Sequence, residues 1–182
     1  MDAARHYRLM ADYNAWMNRR LYAVCSDIPD RQRKEDLGAF FRSIHGTLNH
    51  ILWGDRTWMG RFTGEAFPVG RMGEDLFDDF SRLREARESM DARIIAWTQI
   101  LTPEDLNKEL AFRSVTDGKQ RRGSLWCFAT HFFNHQTHHR GQVSTLMKQL
   151  GCDPGITDIP SMPGVVQIDG GRHLSFVWDT AG

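Results

Sequence analysis

No run of about 18 apolar residues occurs in this sequence, so no segment is built to cross a membrane as a helix. Residues 1–6 lack the apolar core of a secretory signal, which sets the expectation of a soluble, cytoplasmic protein. Cysteine is scarce. Cys25, Cys127 and Cys152 are an odd number without metal-type spacing, which suits a reducing compartment. An excess of either charge is missing too: Lys plus Arg and Asp plus Glu are both 23, for a formal net charge of zero. With no basic stripe, a nucleic-acid partner is not expected. No internal repeat or low-complexity tract stands out. What is present is 182 residues with 41% hydrophobic content, enough for one sizeable core, so one domain with additions is expected.

Apolar periodicity marks four long segments. Residues 3–27 form the first, closed by Ser26-Asp27-Ile28-Pro29-Asp30, and 38–60 form the second, with Phe40, Phe41, Ile44, Leu48, Ile51, Leu52, Trp58 and Met59 on one face. A loop over 61–73 leads to the third, 74–101. Its acids and arginines (Asp75, Asp78, Asp79, Arg82, Arg84, Glu85, Arg87, Glu88) read as a solvated face. The fourth is 125–150. Four long helices imply an all-α fold, a four-helix bundle over 1–150. Residues 110–123 carry a turn signal after a partly alternating run, which predicts a short hairpin before the last helix. In the remaining extension, 151–182, Val166, Ile168, Leu174, Phe176 and Trp178 alternate around Asp169-Gly170-Gly171, which predicts a second hairpin over 165–178. Two strands alone are marginal in water, so this extension is expected to pack on the bundle or on a partner subunit.

Histidine is where the sequence is unusual. Four of its eight histidines fall in His131-Phe132-Phe133-Asn134-His135-Gln136-Thr137-His138-His139. On a helix, His135 and His139 lie about 40° apart and one turn along, so both imidazoles can reach one ion. They also fall in the apolar stripe of Phe128, Phe132, Val143, Leu146 and Leu150. Two adjacent polar rings in a core cost several kcal/mol unless hydrogen bonds or a metal ion satisfy them. His131 and His138 lie at the margin of that stripe. Nor can three histidines at i, i+4 and i+8 share an ion, since the outer two stand about 12 Å apart. A third ligand must come from elsewhere.

His50 is the best candidate. It lies in a second stripe of small residues, Ser43, Gly46, Thr47, Gly54 and Thr57, which either opens a cavity or permits close helix packing. His45 and His6 lack this setting and read as surface or edge residues.

Three groups of residues resemble the DinB family of damage-inducible, metal-binding four-helix proteins. They are Tyr13-Asn14-Ala15-Trp16-Met17-Asn18-Arg19-Arg20-Leu21, then Leu48-Asn49-His50-Ile51 with Asp55 and Trp58, and finally Asn134-His135-Gln136-Thr137-His138-His139-Arg140-Gly141-Gln142. The resemblance implies His50, His135 and His139 as ligands of one divalent ion, the same set reached from spacing. It also implies an up-down-down-up helix order and a homodimer.

Three neutral imidazoles leave such an ion an open position. An ion there can lower the pKa of bound water toward about 7 or bind a substrate thiolate or carbonyl. The first route gives hydrolysis and the second thiol transfer. Family resemblance favours a thiol-dependent transferase or isomerase that uses a low-molecular-weight thiol and a small-molecule substrate. The other reading is a stress-response protein that binds a metal or ligand without turnover. Zinc or nickel leads among the ions, with iron, copper and manganese also compatible. No catalytic residue is assigned. Asp55, one turn beyond His50, is a candidate to orient a ligand, and Gln142, about 60° from His139, a candidate to hold bound water. Arg140 points away from the ion.

Overall fold

Two of the long helices start where a polar side chain, Ser43 or Asp79, caps them. The computed structural model describes residues 3–115 and 117–166. In chain order these form α1 (Ala3–Asp27), the single turn α2 (Asp30–Arg33), α3 (Ile44–Thr63), α4 (Phe80–Ile100) and α5 (Pro103–Asn107). They continue with strands β1 (Glu109–Arg113) and β2 (Gln120–Ser124), then α6 (Leu125–Gln149), and close with a 3-10 turn at Ile159–Ser161. Among the described residues the fold is mostly helical with one small antiparallel sheet.

Two helices begin later than apolar periodicity predicts. The expected start at residue 38 is displaced to Ile44, because Gly38 (φ 78°) and Arg42 (φ 66°) adopt the left-handed conformation and helix cannot pass through it. The strap closes on itself: Leu37 N–H donates to Arg42 O at 2.8 Å and Arg42 N–H to Ala39 O at 2.8 Å. Ser43 Oγ then caps α3 by accepting from Gly46 N at 3.0 Å. Phe40 and Phe41 therefore leave the apolar face assigned to them. Phe40 is 79% exposed. The expected start at residue 74 moves to Phe80 for a different reason. Asn49 of α3 accepts from Phe77 N–H at 3.0 Å and donates to Phe77 O at 3.1 Å, which takes this backbone away from a helix. Asp79 caps α4 at Arg82 N.

Four long helices contact each other in a ring, α1 with α4, α4 with α3, α3 with α6 and α6 with α1. Their buried interior is apolar: Met17 and Leu21 from α1, Leu48 and Leu52 from α3, Leu83 and Ile94 from α4, Phe132 and Met147 from α6. Paired residues give the directions. Tyr7 Oη stands 2.9 Å from Trp126 O and from Thr130 Oγ1, and Arg140 donates to Asn14, so α1 and α6 run the same way. Asp55 meets Arg87 and the Phe62 ring stacks on Trp97 at 4.7 Å, so α3 and α4 also run together. Arg8 donates to Thr98 O while Asn18 donates to Asp91, and Trp58 packs on His131 while His50 packs on His139, so the first pair runs antiparallel to the second.

One expectation fails inside this ring. Arg87, assigned to a solvated face, is 2% exposed and ion-paired with Asp55 and Asp91. Asn14 and Asn18 donate to Asp91 at 3.1 and 2.9 Å, and Gln136 donates to Asp55 at 2.9 Å. All four long helices thus contribute to one buried polar network. Burial opposes the Arg87 charge, but the Asp91 and Asp55 carboxylates outweigh it and hold the guanidinium firmly protonated.

The expected hairpin over 110–123 is present as β1 and β2, paired from Glu109 with Ser124 to Arg113 with Gln120. Phe112 anchors it, edge-on to Trp58 at 5.2 Å and to Phe128 at 5.2 Å. The extension beyond α6 returns to α1, where Tyr13 Oη donates to Thr157 O at 2.6 Å. From residue 167 on, the hairpin expected over 165–178 lies outside the described residues.

Candidate metal centre

Two antiparallel helices, α3 and α6, bring three imidazoles together. His50, His135 and His139 each offer a ring nitrogen, and these atoms all lie within 4.8 Å of one another. His50 Nε2 and His135 Nε2 are 3.1 Å apart. Around a tetrahedral zinc with Zn–N bonds of about 2.0–2.1 Å, ligand nitrogens stand about 3.3 Å apart. The His50–His135 pair is therefore already at ligand spacing.

Proton bookkeeping points the same way. His139 Nδ1 lies 2.6 Å from Gln142 Oε1, and an amide oxygen only accepts, so Nδ1 carries the hydrogen and Nε2 a bare lone pair. His50 Nδ1 is buried with no hydrogen-bond partner. Burial, helped by His139, pushes His50 down to about 4, and burial with the neighbouring histidines pushes His135 down to about 3. Burial also lowers His139, against the hydrogen bond to Gln142. His139 thus presents a bare lone pair, and His50 Nε2 and His135 Nε2 stand where they can share one hydrogen or, in its place, one cation. The residues fit a divalent ion.

The small-residue stripe has a specific role. A Cβ added to Gly54 would stand 2.8 Å from His135 Cε1, so glycine there makes room for the ligand ring. His50 is held from both sides, stacked on Phe41 at 3.7 Å and on Trp53 at 6.0 Å. Phe41 as a cover for His50 is not readable from helical periodicity, because it sits in the strap.

His131 and His138 are exposed, although the His131 ring packs edge-on to Trp58 at 5.1 Å. His45, read as a surface or edge residue, is instead fully buried, with Nε2 2.8 Å from Phe77 O. Its ring helps pin the segment that precedes α4. Asp55 directs its carboxylate to Arg87 and Gln136 rather than to His50. Gln142 touches His139 itself. Arg140 is buried and serves Asn14 and Thr137.

Beside the triad lies a cavity of about 480 Å³ between α3, α6 and the hairpin. His50, His135, Trp53 and Trp58 reach it, as does Arg61, which sequence reasoning missed although it follows Trp58 by three residues on one helix face.

Four long helices, a small ribbon and a histidine triad able to hold a metal ion define a class of helical protein. Its family can be named: the chain belongs to the DinB family, whose model matches residues 2–168. It is similar to Protein DinB of Bacillus subtilis (strain 168), 24% identical over 153 residues, covering 81% of this chain and 87% of that protein. Its fold is like the crystal structure of a DinB-like protein from Bacillus cereus ATCC 10987. The TM-score is 0.54 at 19% identity, covering 77% of this chain and 90% of that chain. Among the described residues, no helix is long and apolar enough to cross a membrane.

Proposed function

We propose that His50, His135 and His139 hold one divalent ion, zinc or nickel first, and that the protein is a metal-dependent enzyme acting on a small molecule. The observation that carries this reading is the convergence of three neutral imidazole nitrogens within 4.8 Å at the wall of a cavity large enough for a small ligand. An ion with an open position there supplies an activated water or a seat for a thiolate or carbonyl. The chain's own residues do the rest. Gln142 fixes the His139 tautomer, and Phe41 and Trp53 fix the His50 ring. Trp53, Trp58 and Phe128 make an apolar wall that keeps water from the reacting end of a ligand.

Between the two routes, we favour a thiol-dependent transferase or isomerase over a hydrolase, on the family resemblance. The helix directions support an up-down-down-up four-helix bundle, and we read the assembly as a homodimer without nucleic-acid partners. Metal analysis of purified protein, followed by a screen for consumption of low-molecular-weight thiols with electrophilic acceptors, tests the reading. Stoichiometric metal with thiol consumption is the expected result. Protein that takes up no divalent ion would overturn it.

A further inference from the structure

We propose that the cavity beside the triad selects a small molecule carrying a carboxylate on an apolar body, with Arg61 as the group that captures the carboxylate. This deepens the proposed function, because it rests on reading His50, His135 and His139 as the reacting centre.

Arg61 is placed for that task. Its guanidinium lies 4.4 Å from the centroid of the Trp58 ring and 4.0 Å from that of Phe112. The two rings stand edge-on to each other at 78° and wall the cation with π surface, which takes none of its N–H donors and leaves them for a bidentate partner. Yet no carboxylate stands within ion-pair distance of Arg61 among the described residues. Arg121, the other cation lining the cavity, is already neutralised by Asp117 at 2.7 Å. Burial lowers the proton affinity of Arg61, as expected of a half-buried cation without a counter-ion. An arriving anion relieves that cost.

His131 lines the cavity beside Arg61. One guanidinium without an ion-pair partner, with no lysine among the described residues that line the cavity, suits a single planar carboxylate better than a phosphate dianion. Much of the remaining lining is apolar and aromatic, from Trp58, Phe112, Phe128, Met72 and Val115, with Thr57 and Ser114 as polar members. It would bury a hydrocarbon or aryl body between the carboxylate and the end that faces His50 and His135. Along α3, residues 50 and 61 are separated by about 16 Å, and the Arg61 side chain leans back toward the helix start. A ligand of modest length spans the remainder.

Isothermal titration with 4-phenylbutyrate and its neutral amide, on both zinc-loaded and chelator-stripped full-length protein, tests the inference. Wild-type protein should bind the carboxylate about tenfold or more tightly than the amide in both states. Arg61→Gln should abolish that preference, Arg61→Lys should keep part of it, and the exposed Arg82→Gln should leave it intact. Thermal melts of each variant report folding separately. A carboxylate preference unchanged in folded Arg61→Gln overturns the assignment, as does equal affinity for acid and amide in the wild type. A preference that survives only with zinc belongs to the ion and also removes Arg61 from the role. Absence of zinc uptake, with the preference intact in stripped protein, would instead sink the proposed function and leave Arg61 standing.

Discussion

The imidazole of His135 rests directly on the backbone of Gly54, with 2.8 Å between its Cε1 and the place a Cβ would occupy. A methyl group there cannot coexist with the ring in its present position. Gly54→Ala should displace His135 and sharply lower metal content, while helix α3 loses nothing in propensity, since alanine favours helix by about 1 kcal/mol over glycine. Metal analysis beside circular dichroism checks this. Full metal occupancy in a folded Gly54→Ala protein would contradict the packing argument.

The triad predicts a pattern across five alanine variants. His50→Ala, His135→Ala and His139→Ala should each lose most bound metal, because two imidazoles and water make a poor site. His131→Ala and His138→Ala should retain it, as both rings are exposed outside the cluster. Atomic absorption on the purified proteins decides. Retention in His50→Ala with loss in His131→Ala would move the site along α6.

Arg87 and Asp55 predict a stability effect with no metal involved. Both are buried, and Asp55 also accepts from Gln136. Asp55→Ala leaves Arg87 with one carboxylate fewer in the core, so it should cost about 3–5 kcal/mol in urea unfolding. A loss below about 1 kcal/mol would mean that the network contributes little to stability.

Thiol chemistry gives a pH prediction. Burial pushes the Cys25 thiol up to about 12 from an ordinary 9.0, with Arg33 opposing, and burial raises Tyr22 as well. The folded protein keeps these protons where the unfolded chain has begun to release them. Their stabilising contribution is complete below about pH 9 and is lost as pH rises toward 12. The urea midpoint should therefore fall steadily above pH 9. At pH 8, exposed Cys127 should react with a thiol reagent at once and Cys25 only after unfolding. Equal rates for the two in native protein would refute this.

Helical spacing made His135 and His139 readable as neighbours, whereas the small stripe around His50 left a cavity and close helix packing both open, and which ring would lie on Gly54 was not readable from it. Spacing works for that pair because both belong to one regular helix. It fails at Phe41 and at residues 74–79, where a left-handed Arg42 and the side chain of Asn49 override periodicity. Arg87 was illegible for another reason. Charges on a helix read as solvated unless their partners are known, and the partners of Arg87 include Asp55, 32 residues away on another helix.

Phe41 and Trp53, lying on opposite sides of His50, have a consequence for ion choice. A ligand ring fixed before any ion arrives cannot adapt its position to the ion's radius or preferred angles. The Gln142 contact and the Gly54 seat place comparable limits on His139 and His135. Such a ligand set discriminates by size and coordination geometry, where a loose one would follow affinity order alone. If the triad holds an ion as proposed, selectivity among ions would be written less in the histidines than in the residues that immobilise them.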